Sequence, residues 1–219
     1  MKYNRIFWEQ YIYFGLLTSL VLTFTVAPFF EERGAAEQLL NIFMVMSLVF
    51  SVIVVSRSKV SFLIVFVLSL PMLISSLVFS LQEEQTFSIV LATTTALFFM
   101  YIAVMVLQNI FTTKEVDTNL ILGAICVYLL IAVVSAIIYS LIAVLVPGSF
   151  EFVGETVIPA HMKDFMYYSL VTMTTLGYGD ITPLSAPAKS VAAMQALLGQ
   201  IYIAIIIARL VGLHMQQKS

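Results

Sequence analysis

Charged residues are scarce in this sequence, and their scarcity decides which solvent the protein can occupy. Lys, Arg, Asp and Glu make up 10% of the 219 residues, whereas 61% are apolar. At this composition a soluble domain would not have enough polar side chains to cover its surface. The net charge of −2 also argues against nucleic-acid binding, which needs a basic surface. The composition therefore predicts a protein surrounded by the lipid bilayer.

Cysteine is nearly absent as well. The only one, Cys126, lies inside an apolar run, so no disulfide can form within one chain. This cysteine and the two histidines do not have the spacing of a metal site. We interpret Cys126 as a small packing residue, and the sequence predicts no cofactor.

Long apolar runs are what the chain has instead. Spanning about 30 Å of hydrocarbon takes about 20 apolar residues in a helix, and six runs reach that length. Short polar breaks separate the first five runs, and one long break precedes the sixth. The predicted transmembrane helices are Tyr11–Phe30, Ala36–Val55, Val60–Leu81, Phe87–Phe111, Leu120–Val146 and Ala188–Leu213.

Basic residues are distributed unevenly between the two ends of these helices. If both termini are cytoplasmic, Arg33, Lys163 and Lys189 lie outside, and every other basic residue lies inside. This arrangement agrees with the positive-inside rule. It predicts a multi-pass protein of the cell membrane with both termini in the cytoplasm.

One polar stretch, "TMTTLGYGDITP" at residues 172–183, lies in the long break before the sixth run. The segment Asp164–Thr174 looks helical but rises only about 16 Å, which is half of the bilayer. We expect it to enter the membrane without crossing it, so that the residues after it return as extended backbone. Such backbone is tolerated at this depth only where it is buried in protein or lines water. Gly177 and Gly179 permit backbone angles that let successive carbonyl oxygens point the same way.

The residues Thr175–Asp180, "TLGYGD", resemble the selectivity filter of potassium channels, whose usual form is Thr-Val-Gly-Tyr-Gly-Asp. The resemblance covers about Leu120–Leu213, in the order outer helix, turret, pore helix, filter and inner helix. It implies an all-α membrane protein with six transmembrane helices, a re-entrant pore helix and a selectivity-filter loop. One filter cannot enclose an ion, so a homotetramer is expected. The resemblance divides the chain into a four-helix transmembrane domain, 1–115, and a pore domain, 116–219.

The resemblance also implies which groups contact the permeant potassium ion. These are the backbone oxygens of Thr175, Leu176, Gly177 and Tyr178, together with the Thr175 hydroxyl, and Gly179 completes the filter. Leu176 departs from the commoner Val or Ile. Its carbonyl still serves, but its longer side chain packs differently behind the filter.

Further residues are implied to support the filter. The side chain of Tyr178 is expected to pack against Tyr167 and Tyr168 of the pore helix. Some family members carry a Glu where this chain has Val171, so Asp180 lacks that partner. We therefore predict that Tyr168 donates the hydrogen bond to Asp180.

The inner helix contains Gly199, at a depth where family members often have a hinge glycine. Two interpretations remain open, a gating hinge and close helix packing. For Arg209, near the cytoplasmic end, the alternatives are a place at the inner mouth and a side chain that reaches the interface.

The fourth predicted helix has neither Lys nor Arg. In voltage-gated relatives this helix carries a row of basic residues, and steep voltage dependence needs about 3–4 gating charges per subunit. The sequence therefore predicts a voltage-independent channel. Its stimulus is open, and an unknown partner or a lipid acting on the first four helices is a candidate.

Three other functions compete with this one. "GYGD" also matches the Gly-x-Gly-Asp motif of intramembrane aspartyl proteases, but that chemistry needs two carboxylates that share a proton. The other aspartates, Asp117 and Asp164, are not expected at membrane depth. A potassium-uptake transporter subunit would usually carry several degraded filters, and a non-conducting regulatory subunit is the third alternative. Our prediction is a passive potassium-selective channel without enzymatic activity.

Overall fold

The computed structural model describes residues 2–26, 33–55, 63–70, 85–153 and 161–218. Most of these residues are helical, and one small sheet accompanies the helices. The helices are α1 (Lys2–Thr25), α2 (Arg33–Val55), α3 (63–70), α4 (Gln85–Thr112), α5 (Thr118–Leu145), α6 (Met162–Met173) and α7 (Ala186–Lys218). The strands are β1 (Phe150–Phe152) and β2 (Ile181–Pro183).

Three helices among the described residues are long and apolar enough to cross a membrane: Thr86–Thr112, Thr118–Leu145 and Ala186–Gln217. They coincide with the fourth, fifth and sixth predicted spans. Two further apolar helical segments among the described residues are Tyr13–Thr25 in α1 and Ile42–Ile53 in α2. Parts of the first and third predicted spans lie outside the described residues, so a total of six spans stays a prediction.

Helix α5 lies at the centre of the described structure. It begins where the Asp117 carboxylate accepts a hydrogen bond from the Leu120 backbone N–H at 2.8 Å, which satisfies one of the free donors of a helix start. Its apolar side chains then pack against α1, α4, α6 and α7. Helix α5 therefore connects α1 and α4, which precede it, with α6 and α7, which follow it.

Helix α6 is short, as the sequence predicts. Its twelve residues rise about 18 Å, too little to cross the hydrocarbon of a bilayer. The Asp164 carboxylate accepts a hydrogen bond from the His161 backbone N–H at 2.8 Å and so caps its start. The helix packs mainly against α5 and α7 and also contacts α1 and α2.

A two-stranded antiparallel sheet, which we did not predict, joins the two ends of the α6 region. Phe150 pairs with Pro183, and Phe152 pairs with Ile181. Strands of three residues are too short for an alternating pattern to be read from the sequence. Their pairing brings the chain before α6 next to the chain after "TLGYGD".

Candidate functional site

The polar stretch begins where α6 ends, and hydrogen bonds to the end of α6 fix its first residues. The Val171 carbonyl accepts from the backbone N–H groups of Leu176 at 3.0 Å and Gly177 at 3.4 Å. The Thr172 carbonyl accepts from the Thr175 N–H at 3.0 Å. Carbonyls of a last helical turn have no partner within the helix, so the chain turns back over the helix end to satisfy them.

Backbone angles alternate along residues 175–179. Thr175, Gly177 and Gly179 have φ values of +60°, +57° and +80°, whereas Leu176 and Tyr178 do not have positive φ. A positive φ is uncommon for a β-branched residue such as Thr175, and glycine adopts it without a steric cost. In a strand, successive carbonyls alternate between two sides, but this alternation of backbone angles lets them face one side.

The carbonyl oxygens of residues 175–179 accept no hydrogen bond from any residue that the structure describes. All five residues are exposed in a single chain. If other chains buried these carbonyl oxygens, each oxygen would need a partner. Because none comes from the described part of the chain, they are available to a group from outside it.

Asp180 follows the last of these residues and is held by three hydrogen bonds. Tyr167 donates from its hydroxyl to Asp180 Oδ2 at 2.6 Å. The Val153 backbone N–H donates to the Asp180 carbonyl at 2.9 Å, and the Ile181 N–H donates to Asp180 Oδ1 at 3.1 Å. The side chain of Asp180 is thus tied to α6 and its backbone to the end of β1.

The prediction that Tyr168 is the donor to Asp180 is wrong, because Tyr167 has this role. Tyr168 is buried instead, with its ring centroid 4.9 Å from that of Tyr139 and 5.7 Å from that of Phe150. Adjacent residues of a helix lie about 100° apart around its axis. Only one of the two tyrosines can therefore face Asp180, and the sequence did not reveal which one.

The ordinary pKa of a tyrosine hydroxyl is about 10, so the Tyr167 hydroxyl keeps its proton at neutral pH and remains a donor. Hydrogen bonds to a charged acceptor are stronger than those between neutral groups, so this contact holds Asp180 firmly.

Tyr178 is 66% exposed and has no ring contact with any residue in the described part of the chain. The expected packing of Tyr178 against Tyr167 and Tyr168 is thus not formed within one chain. It stays a prediction for an assembly of several chains.

A buried polar network connects α5, α6 and α7, and the sequence analysis missed it. Gln195 donates to the Ser169 hydroxyl oxygen at 2.6 Å and to its carbonyl at 3.1 Å, and accepts from the Tyr139 hydroxyl. Ser169 in turn donates to the Ala132 carbonyl at 2.7 Å. A glutamine inside an apolar run indicates such a network, since a polar group at membrane depth needs a partner.

Gly199 lies against the end of α6. A Cβ atom added there would come within 2.4 Å of the Met173 carbonyl oxygen, which also accepts a hydrogen bond from the Tyr128 hydroxyl at 3.3 Å. Only glycine allows this approach of α7 to α6. The structure thus gives Gly199 a packing role, and the hinge role stays a prediction.

Arg209, near the carboxyl end of α7, contacts the chain at the end of α4. Its Nη2 donates to the carbonyls of Phe111 and Thr113, each at 2.9 Å. A cation at the carboxyl end of a helix is stabilised by the helix dipole. The side chain therefore connects the last part of α7 with the carboxyl end of α4.

The aspartates do not form the pair that a protease needs. Asp117 accepts from Leu120 and Asp164 accepts from His161, while Asp180 is bound by Tyr167. Each carboxylate thus has a separate local partner, and the protease alternative has no support from this arrangement.

Comparison with known proteins gives one match. Residues 126–215 match the model of a family described as "Ion channel". The match includes most of α5, all of α6, the polar stretch and most of α7. Searches of the curated proteins and of the solved structures found no similar protein. Together with the three apolar helices, the match supports a membrane protein with an ion-channel domain that takes part in ion transport.

Proposed function

We propose that this protein is a potassium-selective channel that conducts K⁺ passively through a pore formed by four copies of the chain. The observation that carries the proposal is the backbone of residues 175–179. Its alternate residues have positive φ, and its carbonyl oxygens are free of hydrogen bonds within the described part of the chain. A row of such carbonyl oxygens can replace the hydration shell of a cation.

The electrostatics of α6 support a cation at this place. The carboxyl end of α6 leads directly into residue 175, and a helix carries a partial negative charge at that end. The carbonyls of the polar stretch add further partial negative charge. A cation is therefore stabilised where α6 and the polar stretch meet, as at the half-helices of other transport proteins.

A tetramer explains the apolar surface of α7. Only 17% of the most apolar part of α7 is buried, compared with 61% for α5. The exposed side chains on this helix and on the polar stretch include Leu176, Tyr178, Leu197, Leu198 and Ile201. One chain supplies a single row of carbonyls, and fourfold cyclic symmetry places four rows around one axis.

We propose a division into a four-helix domain, residues 1–115, and a pore domain, 116–219, which includes the matched residues 126–215. Helix α4 contains neither Lys nor Arg, so it cannot supply the gating charges of a voltage sensor. The channel therefore opens independently of a charged sensor. The protein resides in the cell membrane, and both of its termini lie in the cytoplasm.

Flux through the purified protein tests this proposal. The protein is reconstituted into liposomes, and cation flux is measured in potassium and in sodium gradients, with barium as a blocker. We expect potassium flux that barium stops, and little sodium flux. Equal fluxes of the two ions would contradict selectivity, and the absence of flux from a folded tetramer would favour a regulatory subunit.

A further inference from the structure

Two hydroxyl side chains on α1 and two on α2 are buried in the described structure. Ser19 and Thr23 are four residues apart on α1, and Ser47 and Ser51 are four residues apart on α2. Residues at this spacing lie on the same face of a helix. The Ser47 hydroxyl donates to the Ser19 hydroxyl oxygen at 2.9 Å. A hydrogen bond between two apolar helices helps to hold them together in a membrane.

A second contact shows that α1 and α2 run in opposite directions. A Cβ atom added at Gly15 would lie 2.4 Å from the Phe50 ring, so this ring rests directly against α1. Phe50 comes three residues after Ser47, whereas Gly15 comes four residues before Ser19. Ser51 is therefore one turn away from Ser19, at the level of Gly15.

Ser51 is unlike the other hydroxyl residues described in these two helices. Its side chain is fully buried, and its hydroxyl has no hydrogen-bond partner among the described residues. The others donate to a backbone carbonyl three or four residues earlier: Thr18, Ser19, Thr23, Thr25 and Ser47. Because a buried polar group without a partner is destabilising, Ser51 needs an explanation.

A displacement of α2 by one turn would give Ser51 a partner. If α2 moves towards its amino-terminal end by four residues, about 6 Å, Ser51 takes the place of Ser47 opposite Ser19. Ser47 then comes opposite Thr23. Both hydroxyl residues of α2 have a partner on α1 in this second arrangement. The cost is that Phe50 loses its contact with α1.

We propose that α1 and α2 have two registers that differ by one helical turn. The register in the structure is held by the contact between Ser19 and Ser47, and the second is held by the pairs Ser19–Ser51 and Thr23–Ser47. Packed helices change between such discrete positions in known conformational switches. Because α2 also contacts α6, the change of register alters the support of residues 175–179.

Disulfide formation in the full chain distinguishes the two registers. In a Cys126→Ala background, Ser19→Cys with Ser47→Cys reports the register in the structure, and Thr23→Cys with Ser47→Cys reports the second. A disulfide needs Cα atoms within about 7 Å, which an offset of one turn between helices prevents. Ser19→Cys with Val49→Cys is the control, since Val49 is exposed on another face of α2. The protein is oxidised in liposomes, and the remaining thiols are counted by mass spectrometry after maleimide labelling.

We expect disulfides from both reporter pairs and none from the control pair. Adding Ser51→Ala should slow the disulfide between positions 23 and 47 about tenfold, because the second register loses a hydrogen bond. Adding Gly15→Ala should accelerate it, because the new Cβ atom displaces Phe50 from α1. Absence of this disulfide, a rate that Ser51→Ala leaves unchanged, or equal reaction of the control pair would overturn the second register.

Potassium flux tests the connection of the registers to the pore, a step that rests on the proposed function. We expect the proteins locked in the two registers to differ in flux by at least about fivefold, and a reductant to remove the difference. Equal fluxes would overturn this connection. Absence of flux before oxidation would contradict the proposed conduction instead, and the disulfides would still decide between one register and two.

Discussion

Two glycines in different parts of this chain both have a positive φ. Gly177 has a φ of +57° in the polar stretch, and Gly148 has a φ of +76° in the turn after α5. A Cβ atom added at either position would meet no atom within 4 Å. Replacing either glycine by alanine therefore adds backbone strain of about 1–2 kcal/mol, without a clash within the described part of the chain.

We expect Gly177→Ala and Gly148→Ala to lower the free energy of unfolding by similar amounts. Only Gly177→Ala should reduce the ratio of potassium to sodium flux, because only residue 177 carries a carbonyl of the proposed pore. Thermal unfolding in detergent and flux in liposomes measure the two effects. A loss of selectivity in both variants would show that general strain, and not the position, matters.

Adjacent tyrosines on α6 allow a second comparison at the residue scale. Tyr167→Phe removes the hydrogen bond of 2.6 Å to Asp180, whereas Tyr168→Phe alters a buried tyrosine that does not bind Asp180. A hydrogen bond to a charged group contributes about 1.5–3 kcal/mol. We expect Tyr167→Phe to make potassium flux decay faster with time, as Asp180 loses its attachment. Flux that persists equally in both variants would show that this bond does not support the pore.

At the scale of elements, the contact between α6 and α7 depends on Gly199. Gly199→Ala would force its Cβ towards the Met173 carbonyl, at 2.4 Å, and overpacking of this kind costs about 1–3 kcal/mol. Gly212 in the same helix has no atom within 4 Å of an added Cβ. Gly212→Ala should therefore be neutral or stabilising, by up to about 1 kcal/mol.

Thermal unfolding and flux together distinguish the two roles of Gly199. We expect Gly199→Ala to lower both the unfolding temperature and the flux, because α6 is displaced. Reduced flux at an unchanged unfolding temperature would instead indicate a hinge that the alanine stiffens.

The network at Gln195 is also a property of elements, because it joins three helices. Gln195→Leu should destabilise the protein by about 1–3 kcal/mol, since the buried Tyr139 hydroxyl loses its acceptor. Adding Tyr139→Phe should recover part of this loss by removing the unpaired group. A double-mutant cycle of unfolding free energies measures the coupling, and strictly additive effects would contradict the network.

At the scale of the whole molecule, the prediction concerns the number of chains. The proposed pore needs four copies of the chain around one axis, because one chain supplies a single row of carbonyls. In mild detergent we expect a particle with four times the chain mass of 24.4 kDa. Native mass spectrometry or light scattering measures this mass. Ion flux from a preparation that contains only monomers would contradict the proposed pore.

Composition and periodicity were sufficient for the features that depend on short stretches of chain. The apolar runs predicted the spans that α4, α5 and α7 now form, because the bilayer thickness sets a minimum length for each. The sequence also predicted that α6 reaches through only half of the bilayer, because few residues separate its start from the polar stretch. The glycines at 177 and 179 indicated left-handed backbone, which the structure has at both positions.

The sequence by itself determined the membrane surroundings, the apolar helices on either side of the polar stretch, and the place of that stretch, since these follow from local length and polarity. Only the tertiary structure decided that Tyr167 and not Tyr168 binds Asp180, that Gly199 contacts the Met173 carbonyl, and that the two short strands pair. Each of these depends on how one helix is rotated against another or on contacts between residues far apart in the chain. Helical periodicity defines the faces of a helix, but the neighbouring elements decide which face meets which partner.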